Sequence, residues 1–253
     1  MHKLKIFILR MMFLIFMGIA LFCAYQMFLS PEEDPSATVE EEPYPFEEPL
    51  DIEVPTVTTE DISLTPTLDY DAAVLRSENA DFIGWLMIPD TTVSFPVVLG
   101  TDNQFYLKHG FHKEYSRYGC PFLDTRTPPG GDCYVIHGHN MGNNRTEMFS
   151  PLANYQNASY AELHKTVLFS LSDSTEPEVY ELFAVVNQQL DQGFDYIVSS
   201  FETDTDRDAF VNHLRDNSLY DTDFVPKGKL LILSTCNNTY GTNNRLLICL
   251  GSL

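Results

Sequence analysis

From Leu68 to the C-terminus, apolar residues come in short runs, each closed by Pro, Gly, Asn or Asp. Punctuation this dense leaves little room for long amphipathic helices and favours many short strands. The segment FIGWLMIPDTTVSFPVVLG (82–100) holds strand-like runs broken at Pro89-Asp90 and at Pro96. Phe122-Leu123-Asp124 reads as a short strand, Thr125–Asp132 as a turn rich in Pro and Gly, and Cys133–His137 as a strand again. Further strands are predicted at 166–171, 178–188, 229–235 and 246–250. Asp71–Asn79 reads as a short helix and Asp102–His109 as a helical turn. One longer helix interrupts the later strands: Thr205 or Asp206 can cap it, and Phe210 and Leu214 share a face at i, i+4. The pattern predicts a mostly β domain, a barrel or sandwich with peripheral helices.

The residues before this domain are of another kind. Lys3, Lys5 and Arg10 precede an apolar run, Met11–Leu29. At about 1.5 Å per residue that run nearly matches the hydrocarbon thickness of a bilayer. It is apolar all round, as a membrane span is. It exits through Tyr25-Gln26-Met27-Phe28-Leu29, with no small-residue cleavage site, and Phe22 is too bulky for the residue before a lipidated Cys23. The expected arrangement is a cytoplasmic N-terminus at 1–10, an uncleaved anchor at 11–29, and an extracellular remainder. Residues 30–67 are rich in Pro, Glu, Asp and Thr and cannot bury enough surface to fold, so they read as an extended acidic stalk carrying a domain at 68–253. Much of the formal charge of −21 lies in and near this stalk. Nothing offers a basic surface to a phosphate backbone, so no nucleic-acid partner is expected.

Five cysteines, at 23, 120, 133, 236 and 249, form no C-x-x-C pair and no zinc spacing. The apolar run Leu230–Leu233 delivers Ser234, Thr235 and Cys236 to the end of a predicted strand. A second strand ends in His137-Gly138-His139-Asn140, and a third begins at Arg245. A thiolate attacks a carbonyl, an imidazole moves the proton, and a guanidinium steadies the oxyanion, so these three groups suit acyl transfer. The histidine precedes the cysteine, which disfavours a papain-like protease. Cys249 sits in the run LLICL and reads as core; Cys120 and Cys133 read as structural, with a disulfide between them left open. His137 and His139 alternate and can share a face, but a metal pair would lack a third ligand in a recognisable spacing. His137 is expected to support the site or face solvent, and Trp85 to pack in the core. Asn140, Ser234, Thr235 and Asn237 are the candidate substrate-binding residues. Asn140 reads equally as a turn residue, and Ser234 and Thr235 as plain strand-end residues.

These residues resemble the sortases, and among them class B. NADFIGWLMIPDTTVSFPVVLGTDNQFYLKHGF (79–111), CPFLD (120–124), VIHGHNM (135–141) and LSTC (233–236) follow the family's order, and Arg245 opens the next strand. The resemblance implies a closed eight-stranded β-barrel with N-terminal helices, and an inserted helix near Asp206–Asn217 before the cysteine strand. It implies catalytic His139, Cys236 and Arg245. Such enzymes cleave a C-terminal sorting motif, of the form L/N/S-P-x-T-G or a relative, after its threonine. The acyl group passes from a cysteine thioester to an amine of a peptidoglycan precursor (lipid II) or of a pilin. No cofactor, metal or calcium is expected. The chain departs from the family at His137, where a tyrosine is usual, at Ile232 and at Asn237; these differences bear on substrate preference rather than chemistry. Two rival readings are a hydrolytic cysteine endopeptidase and a non-catalytic wall-binding module on a membrane stalk.

Overall fold

The period-two alternation of the short apolar runs closes into a ring. A computed structural model describes residues 68–142, 144–171, 176–191, 193–236 and 243–253. The anchor and stalk expected at 11–29 and 30–67, and Asn237, lie outside the described residues. Eight strands follow in chain order: β1 (Phe82–Met87), β2 (Ser94–Val98), β3 (Phe122–Leu123), β4 (Cys133–His137), β5 (Thr166–Leu171), β6 (Glu178–Gln189), β7 (Leu230–Cys236) and β8 (Asn244–Ser252). They form a closed barrel in the order β1-β2-β3-β4-β7-β8-β6-β5, the eight-stranded architecture that the resemblance implied. The β2–β3 and β4–β7 ladders are parallel and the others antiparallel.

Side-chain parity then sorts the residues. Leu86, Val97, Leu123, Ile136, Val167, Leu182, Leu233 and Ile248, from all eight strands, meet in one buried cluster, the barrel interior. The alternate residues Cys133, Val135, Leu230, Ile232, Leu247 and Cys249 form a second buried cluster on the outer face. In β6 the inward positions step from Leu182 to Val185 because the register shifts between Leu182 and Ala184, as a bulge requires.

Helix α1 (Ala72–Glu78) is capped by Asp71, whose carboxylate accepts from the Ala73 and Val74 amides at 2.9 and 3.1 Å. A 3-10 segment (Ser150–Gln156) and the short α2 (Ala158–Leu163), capped by Asn157, were not foreseen. Helix α3 (Asp204–Asp216) lies before β7, as expected, and buries Phe210, Val211 and Leu214 against the outer-face cluster. Its cap is Thr203, not Thr205 or Asp206: Thr203 Oγ1 accepts from the Asp206 amide at 3.2 Å, and the Asp206 carboxylate accepts from the Thr203 amide at 3.1 Å. Asp206 is thus the inner partner of a reciprocal capping box.

Two further expectations change. Pro96 does not break a strand; it lies inside β2 opposite Trp85. The Ile88 amide donates to the Val93 carbonyl at 2.8 Å, and hydrogen-bonded positions alternate, so residue 96 turns its nitrogen away from β1. On that far side β3 pairs with β2 at Val98 alone, so no ladder bond is missed. Trp85 is not core, because Leu86 takes the inward position. Its indole stacks on Tyr70 at 5.4 Å and donates to Ser94 Oγ at 3.0 Å.

Candidate active site

Register brings the predicted groups to one end of the outer face. On β7, Cys236 shares the parity of Leu230 and Ile232; on β8, Arg245 shares that of Leu247 and Cys249. Cys236 and Arg245 are direct partners across the β7–β8 ladder. In the parallel β4–β7 ladder, His137 stands opposite Ser234. Cys236, His139, Arg245, Ser234 and Thr235 all line one cleft of about 340 Å³, which Leu107, Leu190 and Tyr196 also line.

The loop leaving β4 is stitched to the end of β7. The Gly138 amide donates to the Ser234 carbonyl at 3.2 Å, and Thr235 Oγ1 donates to the Gly138 carbonyl at 2.7 Å. Asn140 Nδ2 donates to the Cys236 carbonyl at 3.1 Å, while its Oδ1 accepts from the Gly142 amide at 2.9 Å. Histidine and cysteine therefore share a rigid mount, which a reacting pair needs. Gly138 is required by this closeness, because a Cβ there would come within 2.6 Å of the Phe149 ring. Gly119, at φ +65°, lets the backbone pass under His139: a Cβ would lie 2.5 Å from the Tyr106 carbonyl and 3.3 Å from His139 Cδ2.

His139 Nε2 lies 2.8 Å from the Leu107 carbonyl. A carbonyl only accepts, so Nε2 carries the hydrogen and Nδ1 of the neutral ring is the proton acceptor. Arg245 Nη1 donates to the Asn244 carbonyl at 3.3 Å. Cys236 is half-buried, whereas Cys120, Cys133 and Cys249 are buried free thiols, so no disulfide joins Cys120 to Cys133. Burial pushes the Cys120 and Cys133 thiols up to about 12, and the Cys249 thiol well above its ordinary value.

The predicted substrate-binding residues divide. Ser234 and Thr235 line the cleft but are buried, and their hydroxyls bond within the protein, Ser234 Oγ to Tyr196 Oη at 3.0 Å. Asn140 grips the backbone of the nucleophile. His137 supports the site: its Nε2 lies 2.9 Å from the Oδ2 of Asp124, a cleft residue that the sequence reading passed over. Burial would raise the Asp124 carboxyl. The hydrogen bonds from His137, the Arg126 amide and Asn103 outweigh that and hold it well below the usual carboxylate range. Tyr196 was also missed, for no motif marks it. Among the described residues, no group of three or more His, Cys, Asp or Glu is placed to hold a metal ion.

Comparison with known proteins agrees with this fold. The sortase domain family matches residues 86–251. Sortase B of Listeria monocytogenes is 31% identical over 183 residues, 71% of this chain and 72% of its own length. Sortase B of Staphylococcus aureus is 26% identical over 184 residues, with the same shares of each. Among solved structures, a Staphylococcus aureus sortase B–substrate complex superposes with a TM-score of 0.64 at 26% identity, covering 72% of this chain and 83% of that one. Clostridium perfringens sortase B superposes with a TM-score of 0.65 at 26% identity, covering 72% of this chain and 98% of that one. The chain belongs to the sortase family, class B, a family of cysteine transpeptidases.

Proposed function

We propose that this transpeptidase acts on the outer face of a bacterial cell, held by the span at 11–29 and raised on the acidic stalk at 30–67. It cleaves exported proteins at a C-terminal sorting motif, after the threonine, and passes them to an amine of a peptidoglycan precursor such as lipid II. The observation that carries this reading is the pairing of Cys236 with Arg245 across β7 and β8, in the cleft that His139 also lines.

The steps follow from the groups. The Cys236 thiol gives its proton to His139, and the thiolate sulfur attacks the threonine carbonyl. Arg245 donates to the oxyanion that develops. When the intermediate collapses, the C–N bond breaks, the imidazolium protonates the departing amine, and a thioester remains on Cys236. The acceptor amine then attacks that thioester and loses a proton to His139, and the C–S bond breaks as the new amide forms. Asn140, bonded to the Cys236 carbonyl, serves as a positioning group for the nucleophile, and Asn237 as a substrate-contact residue.

The test is a quenched fluorescent sorting peptide incubated with the purified chain and an amine acceptor. Wild type is expected to give both cleavage and an amide product. Cys236→Ala should give neither, and Arg245→Ala should lose about a hundredfold or more in kcat/KM. Cleavage with water as the sole acceptor at high amine would favour a hydrolytic endopeptidase. A folded chain that cleaves no motif in a broad panel would leave the non-catalytic reading.

A further inference from the structure

The imidazole of His137 is not used by the steps above, yet it lines the same cleft. It shares the outer-face parity of Cys133 and Val135, and its β7 partner is Ser234. Cys236 comes two residues after Ser234, so His137 lies one strand step, about 6–7 Å, back along the cleft from the thiol level. The ring is fixed on two sides. Its plane tilts over Phe122 with centroids 5.2 Å apart, and Nε2 meets Asp124 Oδ2 at 2.9 Å. Asp124 is almost wholly buried and is itself held by the Arg126 amide at 2.9 Å and Arg126 Nε at 3.3 Å. Arg126 in turn reaches Asp195 at 3.3 Å.

A carboxylate only accepts, so Nε2 carries the hydrogen and Nδ1 of the neutral ring presents a lone pair. Among the described residues nothing bonds to Nδ1, and none of their buried side-chain nitrogens or oxygens lacks a partner. Nδ1 of this cleft-lining ring is therefore not sealed from solvent. The nearby hydroxyls of Ser234 and Thr235 are engaged with Tyr196 and Gly138. A peptide crossing this floor meets Nδ1 as an acceptor with its direction already set.

We infer that His137, oriented by Asp124, is a specificity-determining residue whose Nδ1 accepts a hydrogen bond from a side-chain hydroxyl or amide of the donor peptide, within one or two residues of the scissile carbonyl on its acyl side. The acyl side is the one that needs a lasting grip, since it stays bound through the thioester while the leaving amine departs to admit the acceptor. A site built to accept a hydrogen bond rejects the isostere that lacks the donor, because its own polar atom is then left unpaired. This inference rests on the transpeptidase reading.

The experiment compares donor peptides that differ by one near-isosteric exchange, Thr for Val or Asn for Leu, at each acyl-side position. The quantity read is the polar-to-apolar ratio of kcat/KM. The wild-type chain should favour the polar member by about tenfold or more at one position. His137→Phe should bring that ratio close to one, and Asp124→Asn should lower it by releasing the tautomer. His137→Gln places its amide near Nε2, toward Asp124, and should lose the preference. His137→Asn places its amide near Nδ1 and should retain part of it. Ratios unchanged at every position in His137→Phe overturn the inference, as does a change confined to the KM of the acceptor amine. If His137→Phe shows no cooperative melt, equal loss in the Gln and Asn variants overturns it. A wild-type chain that cleaves no donor removes the transpeptidase reading instead, so the two failures are distinct.

Discussion

Cys120, Cys133 and Cys249 are sealed among apolar side chains, while Cys236 stands half-exposed at a strand end. Access favours Cys236 as the reactive thiol, and burial keeps the other three protonated, because reagents attack the thiolate and buried thiols are reached only through local opening. Brief treatment of the folded chain with a thiol-directed reagent, followed by peptide mapping, should find Cys236 modified well before those three. In high urea all four should react alike; early modification of Cys249 or Cys133 in the fold would contradict the assignment. At this scale the meeting of Cys236, His139 and Arg245 in one cleft was legible because each borders an apolar strand and their order matched a known motif series. The Asp124–His137 pair was not. It depends on Phe122 standing opposite His137, a β3–β4 register that no local pattern states. Trp85 was misplaced for a related reason: one position of parity decides between core and surface, and the run FIGWLM is apolar on both faces.

Elements depend on their ends as much as on their faces. Helix α3 was legible from Phe210 and Leu214, but its start was set two to three residues late, because apolar spacing carries no information about a cap. The reciprocal Thr203–Asp206 bonds mark the true start. Thr203→Ala removes both the hydroxyl acceptor and half of the box, and should destabilise the protein by about 1 kcal/mol. Urea melts measure this, and Thr203→Ser should recover most of the loss. A Thr203→Ala variant as stable as wild type would mean that the helix is held by Phe210, Val211 and Leu214 alone. Helix α2 escaped the sequence reading because it is one short stretch of ASYAEL, too brief to show a period. Bonds at its two ends stabilise it instead: Tyr155 Oη donates to the His164 carbonyl at 2.6 Å, and the Asn157 side chain caps its first turn.

The whole barrel was foreseen as β with peripheral helices, while its closure came from family resemblance, since strand order is a property of long-range pairing that short apolar runs do not encode. Closure has a consequence for alkaline stability. Two of the three buried thiols, Cys133 and Cys249, lie in the outer-face cluster beneath α3, and Cys120 lies in a separate cluster with Val98, Tyr106 and Phe122. Their folded pKa values are raised, Cys120 and Cys133 to about 12, chiefly by burial. A group raised on folding contributes stability that is fully present below its unfolded value, near 9, and is lost as pH climbs toward the folded value. Between pH 9 and 10 the unfolded chain releases these protons and the native chain keeps them. Each thiol then withdraws about 1 kcal/mol, and the three together about 3 kcal/mol. Urea melts at pH 7.5, 9 and 10 should therefore show a flat region followed by a fall within that window. Cys133→Ala also leaves a small void, so it should be less stable at neutral pH, yet its fall between pH 9 and 10 should be smaller by about 1 kcal/mol. A fall of undiminished steepness in that variant would place the alkaline weakness in other groups, such as the buried tyrosines, which are raised from an ordinary value near 10 and so begin to contribute at the top of this window.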